Sequence, residues 1–277
     1  MAVSLAWLQA EFTQLEDFHA LAPGGQKEVF RARDKATGEL VVLKLFHATA
    51  NPERALRELQ AVSGLEGNRV PRIIQFGSAR SNVGDHIFFI EQFIEGETLK
   101  DYLGIRDPVP ADVLRWAEQV LSTLAAAEAA EIVHRDIKPA NIIIDTNSDA
   151  WLIDFGIARH LALESVTPTS ALVGPHSPGY APPEQFANSK HEVGTRADLF
   201  ALGVVMFECL EGRNPFVDGA ANCDEILSRV ASTDLPRLTE RSGIPSAVVD
   251  LVQSMTRRPL SQRPSSAEDA LRWLQGF

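Results

Sequence analysis

Between residues 4 and 17 the apolar side chains Leu5, Leu8, Phe12 and Leu15 fall three and four positions apart, which predicts an amphipathic helix over that stretch. Its apolar stripe has two readings: packing on whatever follows, or a surface for a partner or further subunit. Asp34-Lys35-Ala36-Thr37-Gly38 then predicts the turn of a hairpin that leads into the strand Val41-Val42-Leu43-Lys44. Ala55, Leu59 and Val62 restore helical spacing between residues 52 and 62, with Glu58 beside the stripe. Two more strands are expected near 72 to 77 and 86 to 92. Beyond them the pattern is mainly helical and includes the apolar stretch from Leu202 to Leu210, without repeats or a low-complexity linker.

At 277 residues the chain is long enough to bury a large core. Its net charge of -11 argues against a general nucleic-acid surface, which would need a basic face to release counterions. Cys209 and Cys223 are the only cysteines, too few for a disulfide framework or a zinc pattern, so a reducing cytoplasm is the expected setting. No apolar run approaches the ~18 residues of a membrane span, and the N-terminus lacks a basic region followed by an apolar one. The chain is therefore expected to be soluble.

The chemistry concentrates in His134-Arg135-Asp136-Ile137-Lys138-Pro139-Ala140-Asn141, followed after an apolar run by Asp154-Phe155-Gly156. Transferring a phosphoryl group requires metal ions held against phosphates and a hydroxyl aimed at the terminal one. Asp136 can orient or accept the hydroxyl proton, Lys138 can neutralise charge on the transferred group, and Asn141 and Asp154 are hard oxygen ligands suited to Mg²⁺. These runs resemble the catalytic loop and metal-binding triplet of Hanks-type Ser/Thr protein kinases. Further landmarks come in the family's order. Lys44 resembles the phosphate-pairing lysine, and Glu58 its helical ion-pair partner. Glu53 is the weaker candidate for that partner, since in the first turn after Pro52 it has a plain helix-dipole role. Tyr180-Ala181-Pro182-Pro183-Glu184 resembles the end of an activation segment, Arg196 to Gly203 the start of a long buried helix, and Gln262-Arg263-Pro264 the motif whose arginine pairs with Glu184.

The resemblance covers nearly the whole chain and implies an α+β, bilobal fold. Residues 1–277 form one kinase domain: a helix over 1–18, a small, mainly β lobe over 19–92 that includes the Glu58 helix, and a larger, mainly helical lobe over 93–277. It implies ATP and Mg²⁺ as cofactors and proteins bearing Ser or Thr as substrates, with no nucleic acid and no membrane span. By this alignment Ile90 is the gatekeeper, the backbones of Glu91 and Phe93 meet the adenine edge, Glu97 reaches the ribose, and Val29, Val42 and Ile143 enclose the base.

One region departs from the family. The loop over the phosphates should carry three glycines, which let the backbone approach phosphate oxygens without a Cβ in the way. Here Ala22 takes the first glycine position and Lys27 the third, while Gly24 is kept and Gly25 follows it. Lys27 either folds over the β- and γ-phosphates or points into solvent. Val42 stands where alanine usually lies against adenine. These changes bear on nucleotide affinity more than on catalysis.

Two other functions compete with an active protein kinase. A pseudokinase would use the fold as a nucleotide-binding or scaffold module; Lys44, Glu58, Asp136, Asn141 and Asp154 are nevertheless all present. An aminoglycoside-phosphotransferase-like enzyme would share the catalytic aspartate but lack the segment between Asp154 and Glu184. Arg135, before the catalytic aspartate, implies control by phosphate on that segment. Its hydroxyls are Ser165, Thr167, Thr169, Ser170 and Ser177, with Thr169 or Ser170 favoured because Ser177 stands where a substrate-contacting threonine usually sits.

Overall fold

The computed structural model describes residues 3–23, 27–47, 60–81, 83–155, 178–186, 193–239 and 244–276. These divide into two compact units. One takes the described residues up to Gly67 and from Pro71 to Ile94; the other takes Asn68–Val70 and the described residues from Glu95 onward. Residues 68–70 join the second unit through side-chain and backbone bonds: Thr123 Oγ1 donates to the Asn68 carbonyl at 2.6 Å, and Leu152 N to that of Arg69 at 3.0 Å.

The first unit is a five-stranded antiparallel sheet of β1 (Leu15–Pro23), β2 (Lys27–Asp34), β3 (Leu40–His47), β4 (Ile73–Ser81) and β5 (Gly84–Gln92), in the order β1-β2-β3-β5-β4. The β2–β3 turn is built as its sequence demands. Asp34 Oδ1 accepts from the amides of Ala36 and Thr37, and Gly38 takes a φ of 73°, a left-handed angle that suits glycine.

Helix α1 spans Leu5–Glu11, shorter than the expected 4–17. Ser4 caps it through Oγ, and Phe12 leaves helical geometry at φ -106° and ψ 62°. Leu15 does enter the same buried cluster as Leu8 and Phe12, but from strand β1, because a helix-like spacing is equally met when a short turn hands the chain to a strand. The cluster joins α1 to Ala32, Leu43, Phe88 and Ile90 on one face of the sheet, where the Phe12 and Phe88 rings meet edge-on at 4.9 Å. Leu8 and Phe12 are thus spent on the sheet while Leu5 stays exposed, and a single exposed leucine does not support a partner there. Helical residues 60–63 close the described part of the 52–62 segment; Glu53 and Glu58 lie outside the described residues.

The second unit holds a small sheet of β6 (Gly96–Thr98), β7 (Ile142–Asp145) and β8 (Ala150–Leu152) among helices α2 (Leu99–Ile105), α3 (Pro110–Ala129), α4 (Pro183–Phe186), α5 (Thr195–Glu211), α6 (Cys223–Ser232), α7 (Ser246–Met255) and α8 (Ala267–Gln275). Gly96 is required where β6 meets β7, since a Cβ there would lie 2.2 Å from the Ile144 carbonyl oxygen. Helix α5 is buried nearly all round from Ala197 to Leu210, as expected of a helix apolar on every side. It starts with a buried carboxylate, Asp198, and ends at Gly212 in the left-handed conformation.

Candidate active site

In the sheet unit, strand pairing decides which side chains share a face. Cross-strand partners lie on the same side and neighbours alternate, so Val42 with its partner Glu91, and Lys44 with its partners Val29 and Phe89, form one group. Leu43 and its partner Ile90 point the other way, into the cluster under α1. Ile90 is therefore not the gatekeeper; of these two neighbours in β5 it is Glu91 that lies on the face of Val42 and Lys44. Its carboxylate is buried, with Oε1 2.5 Å from the Lys44 ammonium.

The backbone at the end of β5 corrects the expected adenine contacts in the same sense. Glu91 lies within the β3–β5 ladder opposite Val42, and the Phe93 N–H donates to the Leu40 carbonyl at 3.4 Å. Moving the alignment by one residue, as the Glu91 position requires, brings Gln92 and Ile94 to the places first assigned to Glu91 and Phe93. Val42 is buried and Val29 half-buried on this face. Ala22 lies in β1 opposite Val29, and Lys27 opens β2 opposite Phe46. Gly24 and Gly25 lie outside the described residues.

In the helical unit, the catalytic loop is suspended from the start of α5. Asp198 Oδ2 accepts from His134 N and Oδ1 from Arg135 N, both at 2.7 Å. Arg135 has a φ of 65° and Asp154 one of 60°, left-handed values that a non-glycine residue holds only when its surroundings impose them. The His134 ring is fully buried; Nε2 lies 2.9 Å from the Ile153 carbonyl, Nδ1 accepts from Asp136 N, and Phe155 packs on it at 4.6 Å. Burial pushes its pKa down to about 4, so the ring is neutral and its Nε2–H is the donor to Ile153.

Around Asp136 the local chain supplies two donors. Lys138 Nζ donates to Asp136 Oδ2 at 2.9 Å, and Asn141 Nδ2 to the same oxygen at 2.9 Å and to the Asp136 carbonyl at 2.8 Å. The Asn141 amide is turned so that its nitrogen faces Asp136, which leaves Oδ1 as an acceptor for another group. Ile143 is half-buried in β7, between the buried Ile142 and Ile144. The Glu97 carboxylate accepts from Arg106, whose guanidinium lies 4.0 Å over the Tyr102 ring.

Arg263 fills its donor set in burial. Nη1 donates to Glu184 Oε1 at 2.7 Å and to the Arg196 carbonyl, Nη2 to Glu184 Oε2 at 3.0 Å and to the Arg258 carbonyl, and Nε to the Arg257 carbonyl. The resemblance anticipated this pair. The sequence reading did not reach the Asp198 bonds or the Glu91 side chain. Ser165, Thr167, Thr169, Ser170 and Ser177 lie outside the described residues, as does Gly156.

Comparison with known proteins shows the family. The family model described as "Protein kinase domain" matches residues 15–273. Among curated proteins, the chain is 33% identical over 262 residues to the serine/threonine-protein kinase pkn2 of Myxococcus xanthus, covering 90% of this chain and 30% of that protein. It is 32% identical over 253 residues to PrkC of Bacillus subtilis, covering 89% and 38%. To PknL of Mycobacterium bovis it is 33% identical over 254 residues, covering 89% and 61%. The chain thus spans between about a third and three fifths of the length of these relatives.

Proposed function

The chain belongs to the protein kinase domain family and is a Hanks-type Ser/Thr kinase domain, and from that premise we propose that it transfers the γ-phosphate of ATP to serine and threonine hydroxyls of proteins. The observation that carries the reading is the Asp136 cluster. Its carboxylate is held by Lys138 and Asn141 within the loop itself, and the cluster hangs from α5 through Asp198. Asp136 orients the acceptor hydroxyl and takes its proton. Lys138, already 2.9 Å from Asp136, follows the charge that develops on the transferred group.

The donor set fits Mg²⁺. Asn141 presents Oδ1 and Asp154 a carboxylate, and Mg²⁺ is commonly held by one or two protein oxygens with phosphates and water completing its shell. Bound there, the ion would offset the charge of the phosphates. On the nucleotide side, the resemblance assigns Lys44 to the phosphates, Val29, Val42 and Ile143 to the base and, after the one-residue shift, the backbone of Gln92 and Ile94 to its edge. The same one-residue shift moves the ribose contact from Glu97, which Arg106 holds, to Thr98.

Autophosphorylation of Thr167, Thr169 or Ser170 belongs to this reading, carried by Arg135 and the hydroxyl cluster of the sequence. So does a cytoplasmic setting, supported by two free cysteines. Among the described residues no helix is long and apolar enough to cross a membrane.

The test is phosphate incorporation from Mg-ATP into the chain and into a generic protein acceptor, for the parent and Asp136→Asn. Removing a general base typically costs about 10²–10⁴ in rate. A parent that binds Mg-ATP but transfers nothing would be a pseudokinase. An Asp136→Asn protein as fast as the parent would refute the assignment of Asp136.

A further inference from the structure

The Lys44–Glu91 pair has no counterpart in the expectation, which gave Lys44 a helical partner, Glu58. Val42 pairs with Glu91 and Lys44 with Phe89, so Lys44 and Glu91 are diagonal neighbours on one face of adjacent strands. That placement brings Nζ within 2.5 Å of Oε1, and the two side chains are only 4% and 10% exposed. The same ammonium lies 5.2 Å from the Phe89 ring, which is itself stacked on Phe46 at 5.6 Å. A flexible four-carbon side chain is thereby held by a carboxylate and by an aromatic ring.

Both strands are interior to the sheet, so ladder geometry sets the separation of the two charges. A buried ion pair is seldom worth more to stability than two well-packed apolar residues, so stability alone gives little reason for one here. What the pair does supply is a charged ammonium at a defined point. Lysine has three donors, and the contact with Glu91 fixes the point from which they project.

We infer that Glu91 is a positioning residue for the reaction: from the neighbouring strand it holds the Lys44 ammonium at the place where the nucleotide phosphates arrive. This rests on the kinase reading, in which Lys44 meets those phosphates. The anchor belongs to the sheet itself, so it does not depend on the placement of Glu58.

The experiment compares Mg-ATP and adenosine binding by calorimetry in the parent, Glu91→Gln, Lys44→Met and the double variant. Glu91→Gln keeps the side-chain volume and removes the charge. It should weaken Mg-ATP roughly ten- to hundredfold more than it weakens adenosine, the size of one charged hydrogen bond. In the Lys44→Met background the same change should produce no such selective loss, because the ammonium that Glu91 positions is then gone. A purely structural role would weaken the two ligands equally or persist without Lys44, and either result overturns the inference, as does unchanged Mg-ATP binding in Glu91→Gln. Should Glu91→Gln fail to fold, the comparison is made on Glu91→Met, whose apolar side chain fills the same space. A parent that binds no Mg-ATP overturns the kinase reading and the inference together; a parent that binds it while the selective loss is absent overturns the inference alone.

Discussion

Asp198→Asn isolates how the catalytic loop is held. The Asp198 side chain is buried at the start of α5, and each carboxylate oxygen accepts one backbone N–H of the loop at 2.7 Å, from His134 and from Arg135. Asparagine keeps the shape but can present an oxygen to only one of those amides; its NH₂ then faces the other N–H, donor against donor. Hydrogen bonds to charged groups are worth about 1.5–3 kcal/mol, and the change abolishes one while making the other neutral. The expected local loss is therefore about 3 kcal/mol, concentrated where Arg135 already sits at a φ of 65°. The direct assay is amide hydrogen exchange by NMR. The His134 and Arg135 amides should exchange on the order of a hundredfold faster than in the parent, since local opening is favoured by the energy lost. Phosphoryl transfer should fall through kcat, because the loop carries Asp136. Unchanged exchange at both amides in a folded Asp198→Asn protein would refute the suspension of the loop from α5.

Two other outcomes follow from burial. His134 has its pKa lowered to about 4 by desolvation, whereas an unfolded chain would protonate it near 6.5. The unfolded state thus binds the extra proton as the pH drops below about 6.5, and the stability this ring contributes is complete above that pH. It declines at about 1.4 kcal/mol per pH unit down to about 4, a loss of roughly 3 kcal/mol. An NMR titration in which the His134 ring protonates near 6.5 in the folded protein would contradict this. Phe12→Ala should lower stability by about 3–5 kcal/mol, because a ring only 2% exposed is removed from its contact with Phe88. A melting temperature equal to the parent's would show that α1 does not contribute to the sheet's core.

What could be read from the chain depended on whether its bonds are local. The Asp136 cluster was legible because its donors lie two and five residues from their acceptor, within one contiguous motif. Asp198 gave no such signal: it was placed at the start of a helix, but its partners are 63 and 64 residues away, and a carboxylate early in a helix ordinarily needs no partner beyond the helix end. The gatekeeper was misplaced by one residue for a different reason. Ile87, Phe88, Phe89 and Ile90 are all buried, so β5 shows no alternation from which to assign its faces. A buried glutamate beside an apolar run is also the less expected choice, since carboxylates rarely lose their water. The parity comes instead from β3, through the pairing of Val42 with Glu91 and of Leu43 with Ile90. A slip of one residue exchanges the two faces, so either Ile90 faces the nucleotide and Glu91 the core under α1, or the reverse. Only the second arrangement brings the buried carboxylate against the Lys44 ammonium, at 2.5 Å.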